Sequence, residues 1–192
     1  MKEQLTAVYA LTGSFCTFSK ALQGLQGLLD AGFEVIPAMS FNAARLDTRF
    51  GRAADFRARL EEMCGRPVID TIEAAEPIGP KKMADVFVIA PCTGNTLAKL
   101  AWGIVDTPVV MGAKSHLRNG RPVVIALSTN DALAAGGQNL GRLLNTKHFY
   151  FVPMQQDDYL KKPTSLSADY GQLVDTVHSA LRGRQVEPVF FN

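Results

Sequence analysis

The chain has 192 residues, 47% of them hydrophobic and 20% charged, and 20 Lys and Arg against 18 Asp and Glu leave a formal net charge of +2. That length buries a sizeable core, that composition excludes a disordered chain, and so small a charge argues against a general nucleic-acid binder. No apolar run reaches the ~20 residues of a membrane-spanning helix. The cysteines, Cys16, Cys64 and Cys92, match neither a CxxC metal pattern nor a secreted disulfide framework, so a reducing cytoplasm is expected.

Thr6–Leu11 is an apolar run and reads as the first strand; the polar residues and glycine after it do not resemble a leader cleavage site. Leucines at 22, 25, 28 and 29 give 20–31 a helical period. Gly32 then turns the chain into a second strand, Phe33–Met39. Residues 53–64 form a charged amphipathic helix. Around it Arg45, Arg49, Arg52, Arg57 and Arg59 alternate with Asp47, Asp55, Glu61 and Glu62, a solvated face rather than a basic patch. The stretch 65–84 holds three prolines and reads as a long surface loop or an interface. Val86–Ala90 is a third strand, followed by helices at about 96–105 and 108–117. Val123–Leu127 is a fourth strand, 139–144 is helical, "HFYFVP" is a last strand, and 165–182 a closing helix.

Strands apolar on both faces belong in a parallel sheet covered by helices. The expected fold class is therefore α/β, a three-layer α/β/α sandwich, in a single domain over 1–192. Ligands bind such sheets beyond the carboxyl ends of the strands. The loops that leave those ends are rich in small polar residues: "TGSFCTF", "SFNAARL", "PCTGNTLAKL" and "STNDALAAGGQN". Gly13 and Ser14 precede a helix start, an outline phosphate site, although capping by Ser14 or Thr17 would explain them equally. Thr93, Gly94, Asn95 and Thr96 supply hydroxyls, an amide and open backbone, with Pro91 stiffening the turn. Thr93 or Asn95 could be an N-cap, but one cap does not need four such residues. Two such loops on one edge suit a ligand with a phosphate and a polar ring.

Other residues carry less chemistry. Cys92 has no identifiable base and reads as a small buried side chain. His116, His148 and His178 share no metal-ligand spacing, so no metal is expected; His148 should open a strand and His178 face outward. Asp157 and Asp158 read as a solvated turn. Trp102 lies ~200° around its helix from Leu100, opposite the core stripe. It is either covered by a neighbouring helix or an anchor of a homo-oligomer.

The string "APCTGNTLAKLAWGIVDTPV" resembles the signature AP-x-[ST]-x-NT-x-x-K-x-A-x-G-x-x-D of a flavoprotein superfamily that includes FMN-dependent cysteine decarboxylases and prenyl-flavin synthases. Asn95, Thr96, Lys99, Ala101, Gly103 and Asp106 match in register. "LTGS" is similar to that superfamily's first FMN loop. Further strings, among them "FNAARLDTRFG", "EPIGPK" and "QQDDYLKKP", resemble the family of dipicolinate synthase B subunits, from Tyr9 to Pro163.

The resemblance implies a mostly parallel, Rossmann-like (flavodoxin-like) sheet and an FMN-type site. Gly13 and Ser14, helped by Ser40, would meet the phosphate. Thr93, Gly94, Asn95 and Thr96 would meet the ribityl chain or ring edge, and Ser128, Thr129 and Asn130 would close the site. It also implies oxidation of dihydrodipicolinate to dipicolinate together with the A subunit of dipicolinate synthase, in the cytoplasm of the mother cell of a spore-forming bacterium. The chain has no GxGxxG, so NADP is expected on the partner subunit. The alternatives are a flavin-dependent decarboxylase or prenyl-flavin synthase, and a non-catalytic stabilising subunit. Against the decarboxylase, residues 41–85 contain no histidine where the decarboxylases carry one, and "STNDAL" stands where they carry PxMN. A dicarboxylate substrate asks for cations, and Arg49, Arg45 and Arg118 are the candidates, with Lys81 and Lys114 behind them. No catalytic base is identified.

Overall fold

The computed structural model describes residues 4–191. Its sheet has seven strands. Five are parallel: β1 (Thr6–Leu11), β2 (Glu34–Met39), β3 (Val86–Cys92), β4 (Val123–Thr129) and β5 (Phe149–Phe151), side by side in the order 2-1-3-4-5. The two remaining strands, β6 (Met154–Gln155) and β7 (Leu166–Ala168), run antiparallel to each other. β7 pairs with the far end of β4, through Ser128↔Ser167 and Thr129↔Leu166.

The strand pattern sorts the core into two layers. Side chains alternate across a strand, so Tyr9, Leu11, Val88 and Val124 go to one face and Val8, Phe87, Ile89 and Ile125 to the other. The first face is covered by α1 (Phe18–Asp30), α3 (Ala53–Cys64) and α8 (Leu173–Leu181), through Leu25, Leu28, Leu60 and Val177. The second is covered by α5 (Gly94–Trp102), α6 (Pro108–Leu117) and α7 (Gly137–Leu144), through Leu97, Val109 and Leu140. Two short helices, α2 (Phe41–Arg45) and α4 (Ile72–Ala75), complete the set. This is the expected three-layer, mostly parallel Rossmann-like sheet. No helix among the described residues is long and apolar enough to cross a membrane.

Three expectations need correction. The closing helix over 165–182 begins only at Leu173: Leu166 and Ala168 are buried as strand β7, and Asp169 ends it by accepting a hydrogen bond from Gly171 N. Three residues are too few for a strand period to show. The stretch 65–84, expected as a long surface loop or an interface, is not a plain loop: it carries α4 and is anchored at two points. Ile69 bridges to the edge of β2, with Met39 N donating to Ile69 O at 2.9 Å and Ile69 N to Pro37 O at 2.9 Å. Gly79 lies so close to α6 that a β-carbon there would stand 1.9 Å from the carbonyl oxygen of Ser115. The Ser115 hydroxyl accepts from Gly79 N at 3.0 Å and donates to Glu76 O at 2.5 Å. Finally, His178 is half-buried against Phe33, with ring centroids 5.3 Å apart, and does not face open solvent.

The free sides of the outer strands are occupied in part. The Gln185 side-chain amide pairs with Phe151 on β5, accepting from its N–H at 2.8 Å and donating to its carbonyl at 2.6 Å. Met154 of β6 donates to Val189 O and accepts from Phe191 N. Trp102 is partly covered within the chain: its indole N–H donates to Asn139 Oδ1 at 2.9 Å and the Arg142 guanidinium lies 4.6 Å from the ring centre. It nevertheless remains 60% exposed.

His116, on the last turn of α6, is fully buried beside Phe87. Burial, with Arg121 nearby, pushes its pKa down from 6.5 to about 4. Between those two values only the unfolded chain takes up the proton, so stability present above pH 6.5 is lost as pH falls towards 4. We expect up to about 3 kcal/mol of such loss. Urea unfolding across that range should show a shallower pH slope for His116→Gln than for the parent chain, the difference being the histidine's share.

Candidate functional site

One hydroxyl joins the two strands around which the candidate site is built. Thr12, just past β1, donates from Oγ1 to Pro91 O at 2.7 Å and accepts from Thr93 N at 3.0 Å. β1 and β3 are neighbours, and β1 is flanked by β2 on its other side, so this is where the strand order reverses. A crevice opens at such a point, outside the carboxyl ends of the strands. β3 also runs on to Cys92, past the expected end at Ala90, with a register shift against β4 between Ile89 and Cys92 that re-aims the exit.

Two cavities flank the Gly13–Thr93 ridge that both share. The first, of about 360 Å³, is floored by hydroxyls. Ser14 Oγ donates to Ser128 Oγ at 3.0 Å, and Thr17 Oγ1 lies 2.8 Å from the same oxygen. Neither Ser14 nor Thr17 makes a side-chain cap bond to the helix that follows. Simple capping therefore does not account for them. Gly94 brings the start of α5 against the end of β4: a β-carbon there would stand 2.7 Å from Thr129 Oγ1 and 2.8 Å from Asp131 Oδ1. Asn130 lines this cavity too, as do Cys16 and Lys20.

The first cavity's outer wall comes from the β6–β7 excursion. Asp157, exposed as a solvated turn requires, also lines it, and Lys162 Nζ binds Asp157 Oδ2 at 2.7 Å. That bond holds the Asp157 carboxyl below its usual pKa and Lys162 above its own.

The second cavity, of about 380 Å³, is lined by Ser40, Asn42, Asn95, Thr96 and Thr107, with Lys99 and Asp106. Ser40 caps α2 by accepting from Ala43 N at 3.3 Å, and Thr93 caps α5 by accepting from Thr96 N at 3.2 Å. Thr93, not Asn95, is thus the N-cap, and Asn95 is left exposed at the cavity. Lys99, one turn beyond Asn95, donates to both Asp106 oxygens at 2.6 and 2.7 Å, which lowers the Asp106 pKa. Gly103, with φ +69°, ends α5 and lets the chain return Asp106 to that lysine.

Gly13, Ser14, Ser40, Thr93, Gly94, Asn95, Thr96, Ser128, Thr129 and Asn130 therefore each line one cavity or both. The arginines do not. Arg45 and Arg49 follow β2 at the right edge but are exposed, stacked on Phe41 at 4.6 Å and on Phe50 at 4.8 Å. Phe41 itself lines the second cavity, so Arg45 stands one ring away. Arg118 follows α6, which leads to the start of β4. Nearby Arg121 pairs with Asp85 just before β3, so Arg118 lies at the opposite edge of the sheet. Lys81 and Lys114 line neither cavity.

The cations that do are Lys20, Lys99 and Lys162. Lys99 was visible in the signature string; Lys162 lies in the quoted string "QQDDYLKKP", but more than thirty residues beyond the β4 loop, and no spacing rule assigns it to this cavity. No histidine lines either cavity. Cys92 is fully buried and burial pushes its thiol well up, so it is no nucleophile. No cluster of three metal-ligating side chains occurs among the described residues.

A family model described as Flavoprotein matches residues 1–181. The chain is 45% identical to the B subunit of dipicolinate synthase from Bacillus subtilis over 181 residues, 94% of this chain and 90% of that protein. Among solved structures it is similar to the dipicolinate synthase B subunit from Bacillus halodurans, with 41% identity and a TM-score of 0.90 over 98% of this chain and 96% of that one. It also shares its fold with DmrB of Burkholderia xenovorans in complex with FMN, described as a cubic protein cage for redox transfer. There the identity is 21% and the TM-score 0.64, over 93% of this chain and 99% of that one.

Gly94→Ala should push the Thr129 and Asp131 side chains aside, breaking the hydrogen bond between them, and cost roughly 1–2 kcal/mol. Gly13→Ala, whose added methyl meets nothing closer than 3.5 Å, should stay within about 1 kcal/mol of the parent. Urea unfolding of both variants checks the contrast.

Proposed function

The chain belongs to the flavoprotein family, and we propose that it is the B subunit of a dipicolinate synthase, binding FMN and acting with an A subunit to oxidise dihydrodipicolinate to dipicolinate. The observation that carries the reading is the pair of polar cavities meeting across Gly13 and Thr93 at the sheet's switch point. Its donor set fits the cofactor. The uncapped Ser14, Thr17 and Ser128 hydroxyls suit a phosphate, with Lys20 and Lys162 nearby. The Asn42, Asn95 and Thr96 side chains suit the donors and acceptors along a ring edge. Bound there, a flavin supplies a two-electron acceptor for a dihydropyridine that gains aromaticity.

The chain's own part is to hold and orient. Two substrate carboxylates need cationic partners, and Lys99 in the second cavity, with Arg45 stacked on the lining residue Phe41, stands closest to that task. Arg118 is too far round the sheet. Loss of the ring N–H proton needs an acceptor, and no histidine is present in either cavity to take it. That absence also counts against cysteine-type decarboxylation. With no GxGxxG in the chain, NADP belongs on the A subunit. We further place the protein in the cytoplasm of a spore-forming mother cell, as a homo-oligomer in which the exposed Trp102 is an interface residue.

Titration of the purified chain with FMN, with and without the A subunit, tests the reading. We expect saturable quenching of flavin fluorescence. Asn95→Ala, which removes a side chain that caps nothing, should weaken FMN roughly fivefold to tenfold with little change in melting temperature. Equal affinity in a folded variant would exclude Asn95 from the site, and no binding under either condition would leave a subunit that keeps only the fold.

The chain alone should not turn over dihydrodipicolinate with NADP, whereas addition of the A subunit should restore turnover. Absorbance of NADPH at matched substrate concentrations distinguishes the two; full activity of the isolated chain would refute the division of labour.

A further inference from the structure

We infer that Lys162 is an oxyanion receptor which Asp157 occupies until the anionic group of a ligand, a phosphate monoester or a carboxylate, takes its place. The inference rests on the flavin reading only for which anion that is. The sequence "QQDDYLKKPT" folds into two ion pairs between β6 and β7, an inner one towards the cavity and an outer one towards solvent. The inner pair, Asp157–Lys162, lines the first cavity. The outer pair, Asp158–Lys161, does not line it, and its lysine is 86% exposed. Asp157 is the one carboxylate among the residues lining that cavity, against two lysines, Lys20 and Lys162. Lys20 forms no ion pair among the described residues. Among the lining residues the lysines thus outnumber the acid over a floor of hydroxyls, and that acid neutralises the lysine at the wall.

The inner pair is not what shapes the loop. Gln156 Nε2 donates to Pro163 O at 2.7 Å, Lys162 N to Asp158 O at 2.7 Å, and Ser165 N to Lys162 O at 3.1 Å. Thr164 anchors the return strand, donating from its hydroxyl to Asn130 O at 2.6 Å and accepting at its carbonyl from Leu133 N at 3.0 Å. The backbone therefore stays in place when Asp157 swings off. Both partners are half-exposed, so the pair is held weakly and an incoming anion with better geometry displaces the carboxylate into water. An ionic bond whose only structural role is dispensable, placed in a cavity otherwise lined by donors, acts as a built-in competitor of the ligand. It keeps the lysine positioned in the free protein and sets a threshold for occupancy.

Isothermal titration calorimetry on the full chain tests this with inorganic phosphate, FMN, riboflavin and pyridine-2,6-dicarboxylate as probes. Asp157→Asn should tighten phosphate binding roughly twofold to fivefold and Lys162→Gln should weaken it by as much, both effects shrinking at high salt. Lys161→Gln, in the outer pair, should change nothing. Opposite shifts for FMN but not riboflavin assign the anion to the flavin phosphate; shifts for the dicarboxylate assign it to the substrate. If FMN fails to bind the parent chain while phosphate still follows the pattern, the flavin reading falls and the receptor stands. Phosphate binding that is undetectable in Asp157→Asn, or unchanged in both inner-pair variants, or matched by the same shift with riboflavin, overturns the inference.

Discussion

The Thr12 hydroxyl stands where two requirements meet. At the switch point the connections after β1 and β3 must leave to opposite faces of the sheet, or no crevice opens. The strand ends must still be fixed, or the crevice has no defined width. Thr12 bridges Pro91 O and Thr93 N, so Gly13 and Thr93 form one ridge, from which both cavities take their shape. Everything further out is positioned from it. α1 leaves on one side with Ser14 and Thr17; α5 leaves on the other with Asn95, Thr96 and Lys99. The hydroxyl's one proton is committed to Pro91 O and the residue is buried, which keeps it out of any ligand's way.

The fold was legible because burial on both faces of β1, β3 and β4 leaves almost no polar residue in those runs, and leucine spacing marks α1 unambiguously. What escaped was short. β6 and β7 span two and three residues, and α2 and α4 five and four, below the length at which a period can be counted. The 65–84 stretch read as a surface loop or an interface because of its prolines, and its anchoring contacts are tertiary: Ile69 on the sheet edge and Gly79 on α6. Neither is encoded locally.

The site divides in the same way. Its small polar residues sit directly after strands, so the topology of the fold alone brings Gly13, Thr93 and Ser128 together. Its charges do not follow that rule. Arginines near "FNAARLDTRFG" are conspicuous in the sequence, but their aliphatic stems and planar heads find aromatic rings to lie on, and Phe41 and Phe50 hold Arg45 and Arg49 at the surface. Lysines occupy the cavities instead, and two of them, Lys99 and Lys162, are matched to acids brought in by turns of the chain. Asp106 and Asp157 come into place only after Gly103 and the β6–β7 hairpin have folded back.

The covered margins of the sheet have a consequence for how this protein behaves at high concentration. An open strand edge is a template on which further chains can add. Here Ile69 bridges to β2, which also carries Pro37 with no N–H to offer; Gln185 satisfies Phe151 of β5; and the 189–191 segment bonds to β6. Edge-to-edge growth into fibrils has no starting point along these stretches. Along these stretches a second copy finds no free backbone to pair with, so any contact made there depends on side chains.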